Sequence, residues 1–557
     1  MYKTTIKKHI GMDYENEVYL QNFRTIGDGK LCQSFANVIK LSAQSAPLDF
    51  NPIKSMMTRS ESGTTYLYSF DATKILKTKI PDFDAAHTTA VFDLTAGAST
   101  YPSIKLDIAN NIVFTSKQYL GRYDGSNWVD NWKNLGTNDA SYKRQIENFE
   151  DLTLIGNGNY LAGYSADDGS DFASAYVELP KGSEFASMCA NRNLLIGVNK
   201  NNVGQTLLWN GWSDAWLSKV NYENTISTIK KYGANWLVFS GAYIWLTDGY
   251  SRNLLTRIPV DGADLNASQI NYDEQVEIVN DLIIIGSPRG IVGLTRAKKG
   301  LYIYDISRRE WYFSPLENKY SKLAYYDALV TSLCFDSWTN YLICGWYGSD
   351  LNSGKFISTI TSLEYSTENS IYISPPIKFN GFANLKRVKV VLSPNIRQYY
   401  NKGDDDLTID VYALYLSKNL WNYGQVSASA TAQNQVKVDG TISGANDAEV
   451  GDIVWFLEGQ NSDEKKTITA ISDEDTANEV WTLDSNLSTN AEANCYFNIL
   501  KGIKSQTITL TNKTITGNKE LEFYFDNFYD IGCRLLIEVK GASYLVSQIE
   551  EIEVEYG

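Results

Sequence analysis

The sequence predicts an all-β protein, and three observations carry that prediction. Aromatic residues make up 13 % of the chain, with 37 Tyr and 13 Trp, and such side chains suit a pleated, half-buried surface. No stretch shows the sustained 3.6-residue periodicity of a long amphipathic helix. Short apolar runs recur at a nearly constant spacing through the first two thirds of the chain. At 557 residues the chain exceeds one simple core, so several domains are expected.

The clearest unit runs from Cys189 to Trp216. Leu194-Leu195-Ile196-Gly197-Val198 is too short for a typical helix and reads as a strand. Asn199 to Gly204 is polar and reads as a turn, and Thr206-Leu207-Leu208-Trp209 as the next strand. Asn210-Gly211 predicts a tight type I′ turn, in which both central residues need φ > 0. Trp212 and Trp216 follow.

Seven runs align with Leu194 as candidate inner strands, starting at Tyr66, Ile112, Leu152, Leu194, Trp236, Leu282 and Tyr341. Their steps are 46, 40, 42, 42, 46 and 59 residues, the last widened by a segment around Leu316 to Ala328. Asn or Asp precedes most of them: Asn111, Asp151, Asn193, Asn235, Asp281 and Asn340. Aromatic strands that end in Asp124-Gly125, Asn210-Gly211 or Asp248-Gly249 come next, often with a further aromatic such as Trp128.

Several short strands per step of this length are the spacing of propeller blades. A single blade cannot cover both its faces, so large aromatics between blades are expected. Trp209, Trp212 and Trp216 are therefore read as blade-packing residues. The signatures of WD40 repeats, kelch repeats and the sialidase Asp box are absent from these units.

Beyond Ser362 the texture changes. Leu385 to Leu392, Leu407 to Leu416, Leu521 to Phe525, Arg534 to Val539 and Gln548 to Tyr556 alternate in and out, as antiparallel strands with one buried face do. Val436-Lys437-Val438, Ile453 to Leu457, Lys466 to Ile471 and Val480 to Leu483 interrupt them as a smaller set. The predicted architecture is all-β. An N-terminal arm or docking segment occupies 1–47 and a propeller of about seven blades 48–361. A β-sandwich over 362–425 and 499–557 follows, with a small β-barrel inserted at 426–498.

Charge and composition narrow the function. The net charge is −15 and the pI is near 4.8, which argues against a sequence-specific nucleic-acid binder. No apolar stretch approaches a membrane span, and the charged start Met1 to His9 is no secretory signal. The six cysteines are scattered without a Cys-x-x-Cys pair and read as buried free thiols. His9 and His87 are the only histidines, so no His-based triad or metal set is expected. Gly403 to Asp406 and Asp167 to Asp171 lack the EF-hand spacing and read as solvated turns. No catalytic, cofactor-binding or metal-binding residues are assigned, no cofactor is expected, and the chain is read as a non-enzyme.

Two sets of residues resemble a known family. Ala190 to Gly197 followed by Leu208-Trp209-Asn210-Gly211-Trp212-Ser213 resembles the blade motifs of propeller proteins in tailed bacteriophages. Ser374 to Phe379, Leu385 to Val390, and Gly532 to Val539 with Ile549 to Val554 are similar to the sandwich that often follows those propellers. The resemblance spans about Ile112 to Tyr347 and the sandwich halves. It implies a virion structural protein of the tail, neck or nozzle, assembled in the host cytoplasm as a homo-oligomeric ring around the DNA path. Its partners would be other virion proteins of tail, neck or portal-adaptor type, and an acidic wall would discourage DNA from sticking. The alternative is a receptor- or glycan-binding propeller at a virion tip or cell surface. A glycan-cleaving propeller is a third reading.

Overall fold

The computed structural model describes residues 2–6, 19–21, 23–26, 30–33, 40–41, 53–80, 88–95, 97–213, 215–258, 273–286, 300–315, 329–337, 341–347, 355–360, 370–394, 407–418, 422–441, 447–457, 461, 464–493, 495–510, 519–540 and 547–557. His9, His87, the segment 316–328 and the acidic run 403–406 lie outside them. The chain forms two compact units. One takes 39–288 and 329–360, the other 1–38, 289–328 and 361–557.

The first unit is a β-propeller. Five antiparallel four-stranded sheets follow one another in strict chain order: I over 55–93, II over 104–134, III over 146–178, IV over 184–222 and V over 226–257. The hairpin VI follows, Val276–Val279 with Leu282–Gly286. Sheet VII comprises Leu329–Asp336, Tyr341–Tyr347 and Lys355–Ile360, and its fourth strand is Lys40–Leu41 from before sheet I. The first strand of each sheet touches the first strand of the next, from I through VII and back to I, so the ring closes.

The runs predicted as inner strands are the second strand of each sheet, Leu194–Lys200 in sheet IV for example. They are the easiest to read because they carry consecutive apolar residues, such as Ile112 to Phe114 and Leu194 to Ile196, buried on both faces between neighbouring sheets. Several end in glycine for a steric reason. A Cβ on Gly156 would lie 2.3 Å from the Phe185 ring, one on Gly286 2.2 Å from Val330 Cγ1, and one on Gly345 2.5 Å from Ser332 Oγ. At Gly197 the nearest atoms are Ile226 Cγ2 and Ile229 Cδ1, at 3.0 and 3.1 Å. At Gly156, Gly197 and Gly286 the next sheet's first strand presses onto the glycine, whereas at Gly345 the nearest atom is on its own sheet's first strand and Ile53, just ahead of sheet I, follows at 3.1 Å.

The true inner strands carry, within them or immediately before them, a polar residue followed by an apolar one. Ser55, Ser103, Gln145, Ser187, Thr228, Gln275 and Ser332 are buried, one per sheet. Each precedes a buried apolar residue: Met56, Ile104, Ile146, Met188, Ile229, Val276 and Leu333. Ser55 Oγ accepts from the Ile104 N–H at 3.1 Å, and Ser187 Oγ from the Ile229 N–H at 3.1 Å. Gln145 accepts from the Met188 N–H and donates to its carbonyl, both at 2.8 Å. Gln275 donates to the Val330 carbonyl and Ser332 to the Ile53 carbonyl. These bonds satisfy inner-strand backbone groups that a four-stranded sheet leaves unpaired at its edge. β-bulges at Phe185/Ser187, Ile226/Thr228 and Val330/Ser332 aim the polar side chains along the ring.

Apolar clusters fill the gaps between sheets, and the aromatics sit there. Phe70 and Tyr68 of sheet I pack with Ile112 and Phe114 of II. Trp128 stacks on Tyr123 at 4.4 Å within sheet II and on Phe92 of sheet I at 5.4 Å. Trp209 and Trp216 of sheet IV pack against Phe149, Leu154 and Leu161 of sheet III. Trp236 and Trp245 of sheet V face Leu195 and Leu208 of IV. The expectation fails for Trp212, which is 80 % exposed. It sits at the tip of an eight-residue loop, beyond the reach of the inter-sheet core.

That tip also corrects the predicted turn. Gly211 has φ +88° but Asn210 is not in the left-handed region, so the turn is not type I′. Instead the Asn210 carboxamide accepts from the Trp212 and Ser213 N–H groups, at 3.1 and 3.0 Å. Asp124 in sheet II and Asp248 in sheet V do the same for the N–H groups two and three residues on. Those backbone donors hold both carboxyls below the ordinary aspartate range. The side chain, rather than a mirror-image backbone, makes the turn.

The second unit is built on two long strands, Ile377–Pro394 and Lys519–Lys540. They pair from Leu392↔Lys519 to Ile377↔Cys533. The remainder of Lys519–Lys540 lies between Ser370–Ile373 and Leu407–Tyr415. Ser547–Tyr556 covers the other edge of Ile377–Pro394. Residues read as a docking arm are woven into both units: Tyr2–Ile6 and Lys30–Gln33 pair with Ser547–Tyr556, while Lys40–Leu41 completes sheet VII. Between Leu407–Tyr415 and Gly502–Lys504, six strands from Asn422–Ala428 to Tyr496–Leu500 close into a barrel around Trp481, Phe497 and Phe456.

Candidate assembly interface

The propeller axis is the first place to look for a site. The residue after each buried apolar position is half-buried in sheets II to VII: Lys105, Glu147, Cys189, Lys230, Glu277 and Cys334. The Cys334 thiol is pushed up by burial and, next, by Glu277; it also feels Lys105, Glu274 and Asp336, so groups from three sheets converge there. Lys143, ahead of sheet III, donates to the Ser227 carbonyl of sheet V at 2.7 Å. The axis therefore holds charges of both signs. Among the described residues no group of His, Cys, Asp and Glu could hold a metal ion.

Two interior polar clusters serve structure. Arg144 is fully buried and donates to Asn157, to the Lys117 carbonyl and to Thr137 Oγ1. Burial pulls its pKa down to about 10, against the opposing charges of Tyr142 and Asp139. In the second unit Lys465 of the barrel meets Glu538 of Lys519–Lys540 at 2.9 Å, both side chains fully buried. The Lys465 ammonium lies 4.8 Å from the centre of the Trp455 ring. Lys540 bridges Glu538 at 3.1 Å and Asp410 at 3.2 Å. Burial opposes its charge, but the two carboxylates prevail and hold it above the ordinary lysine value.

Exposed apolar groups gather on the outer face of the long strand pair. Phe382 is 72 % and Tyr529 52 % exposed. Their rings stack at 6.5 Å with a 12° interplanar angle. Ile531 and Tyr524 are exposed on the same strand. Along Lys519–Lys540 the inward positions Phe523, Phe525 and Phe528 are buried, so Tyr524, Tyr529 and Ile531 are apolar residues in solvent register. Beside them the face is charged in columns. Glu522 and Glu555 flank Arg387 at 2.5 and 2.6 Å, Glu520 meets Lys389 at 3.5 Å, and Lys3 meets Glu553 at 3.0 Å. The acids of the outer columns are thus spoken for within the face.

The sequence reading did not single out this patch. Its signal was available as apolar residues on the polar side of an alternating strand. Trp212, by contrast, was singled out for packing and is exposed.

No protein-family model and no curated protein sequence matches the chain. Solved structures resemble it distantly. One is the extracellular domain of the putative one component system BT4673 from B. thetaiotaomicron, at 10 % identity and a TM-score of 0.41, over 68 % of this chain and 56 % of that one. The chain thus spans about half the length of that protein. Another is the Myceliophteria_thermophila Cps50 (Swd1) β-propeller domain, at 10 % identity and a TM-score of 0.38, over 58 % of this chain and 100 % of that one. A third is the AfRom2 CNH domain, at 10 % identity and a TM-score of 0.36, over 56 % of this chain and 97 % of that one. None assigns the chain to a family. No helix among the described residues is long and apolar enough to cross a membrane.

Proposed function

We propose that the chain is a structural component of a tailed-phage virion, of tail, neck or nozzle type, that works by assembly rather than catalysis. In this reading the ring is a seven-bladed propeller, hairpin VI marking the sixth blade. The second unit is a β-sandwich with the barrel as an inserted module. In this reading the DNA path runs through a ring of copies.

The observation that carries the reading is the stacked Phe382–Tyr529 pair with Ile531. Contiguous apolar surface on a folded domain marks a contact that assembly covers. The occupant we infer is a second copy of this chain. Arg387, Lys389 and Lys3 offset part of the acidic charge of the same face, which lowers the repulsion between two acidic copies.

Sedimentation velocity over a concentration series tests this. The wild-type chain is expected to self-associate. The double substitution Phe382→Ser, Tyr529→Ser removes two anchors of roughly 2 kcal/mol each and weakens association about a thousandfold. A chain that stays monomeric at every concentration, and is missing from purified particles traced by electron microscopy, would defeat the reading.

A further inference from the structure

We propose that the tips of sheets IV and V form a carbohydrate-stacking site built on Trp212 and Tyr250. This goes beyond the assembly reading and rests on the other unit, so either can fail alone. Trp212 is 80 % and Tyr250 61 % exposed. They occupy equivalent places on equivalent turns. The Asn210 side chain accepts from the Trp212 and Ser213 N–H groups at 3.1 and 3.0 Å. The Asp248 carboxylate accepts from the Tyr250 and Ser251 N–H groups at 2.9 and 2.8 Å. Gly211 and Gly249 both take the left-handed conformation, at φ +88° and +91°. The sheets are neighbours in contact: a Cβ on Gly249 would lie 2.8 Å from Leu208 Cδ1 of sheet IV.

The turn itself does not require an aromatic. Sheet II has the same geometry, with Asp124 accepting from Ser126 and Asn127 and Gly125 at φ +97°, and it places Ser126 at the tip. Trp209 and Trp216, at the two ends of the sheet IV loop, pack into the core. Trp212 is held out of that core on a braced stem. A large ring on a fixed turn offers contact area with little ordering cost on binding.

The ligand class follows from what surrounds the rings. They stand singly on loop tips, so they lack the surrounding rim that keeps water out of a protein–protein hot spot. An acceptor lies beside the Trp212 turn: Glu150 Oε2 is 3.4 Å from the point where a Gly211 Cβ would be. A pyranose offers its flat C–H face to an aromatic ring and its hydroxyls to a carboxylate. Nucleobases also stack on such platforms, but a chain of net charge −15 with acids at both tips repels a phosphate backbone. The chemistry selects neutral glycans over nucleic acid and over sialylated or phosphorylated sugars.

The test is a glycan array of neutral and anionic oligosaccharides plus single-stranded oligo-dT, followed by calorimetric titration of the best binder against the full chain. We expect a neutral oligosaccharide to bind. Trp212→Ala and Tyr250→Ala should each weaken it about tenfold, as the loss of one stacking platform does. Trp212→Phe should retain most of the affinity, and Ser126→Ala should change nothing. Unaltered melting temperatures would confirm that the variants fold. The proposal is overturned if the wild type binds no neutral glycan, if binding survives both alanine substitutions, or if oligo-dT or sialylated glycans bind better.

Discussion

The glycines at the ends of the second strands allow a graded test of how the propeller packs. Gly286→Ala places a methyl 2.2 Å from Val330 Cγ1 and 2.7 Å from its Cβ. Carbon atoms rest at about 3.5 Å or more, so the sheets must part by roughly 1.3 Å or Val330 must turn. Val330 is β-branched and fully buried on the first strand of sheet VII, so it has few rotamers to choose from. Overpacking of this kind costs roughly 1–3 kcal/mol, and we place Gly286→Ala at the upper end. Gly156→Ala belongs with it, because its methyl meets the Phe185 ring at 2.3 Å and the Lys143 carbonyl at 2.6 Å. Gly197→Ala should cost well under ~1 kcal/mol, since its neighbours are the ends of isoleucine side chains at 3.0 and 3.1 Å. Denaturant midpoints of the three variants give the ranking, with the melting temperature falling about 5–10 °C for the two severe ones. Val330→Ala in the Gly286→Ala background should recover part of the loss, a coupling a double-mutant cycle measures. If Gly197→Ala is as damaging as Gly286→Ala, or if Val330→Ala rescues nothing, then contact between adjacent sheets is not what selects glycine here.

Two further outcomes follow from the interior polar groups. Gln145→Leu leaves the buried Met188 N–H and carbonyl without the partners they have at 2.8 Å, and should cost about 2–3 kcal/mol by denaturant titration; a neutral result would mean that water or a neighbour substitutes freely. Lys465→Met takes from the Glu538 carboxylate its fully buried partner and leaves Lys540 at 3.1 Å, and should cost about 3 kcal/mol, whereas Lys465→Met with Glu538→Leu should come back near the wild type. A double variant as unstable as the single one would show that the pair, and not the avoidance of a lone buried charge, is what stabilises the barrel's seat.

What could be read in the sequence follows the range of the interactions. The second strands were visible because burial on both faces makes them apolar over consecutive residues, and their terminal glycines mark where the next sheet approaches. The Asx-Gly turns were visible as dipeptides, although their mechanism was not: Asn210 and Asp248 act through side chains, which the dipeptide does not reveal. The first strands escaped because Ser187, Thr228 and Gln145 look like solvent-facing residues. Their partners, Ile229 and Met188 among them, lie about one repeat further along the chain, and only closure of the ring makes burial tolerable. Trp209, Trp212 and Trp216 are alike in spacing and differ in fate, since a loop has no period to say which ring turns inward. Phe382 and Tyr529 lie outside the stretches read as alternating, and two of those stretches correct the reading: Ile409 to Leu414 and Arg534 to Val539 are buried on both faces, because Asp410, Arg534 and Glu538 look like solvent-facing residues until their partners are seen.

The strand Lys40–Leu41 has a consequence for the order in which the molecule can be made. It leaves the ribosome before any of sheets I to VI, yet its partner Lys355–Ile360 emerges some three hundred residues later. Throughout that interval sheets I to V can form from local hairpins as they appear, while the ring stands open at one seam. Nascent chains fold by such units, with the earlier-synthesised parts first, and the pairing of distant segments is the slow step. The last event in building the propeller is thus the joining of its oldest and youngest strands. Until then both seam faces, with Ile53 and Met56 on one side and Ile343 on the other, are bare apolar surface that a chaperone or a neighbouring nascent chain can reach.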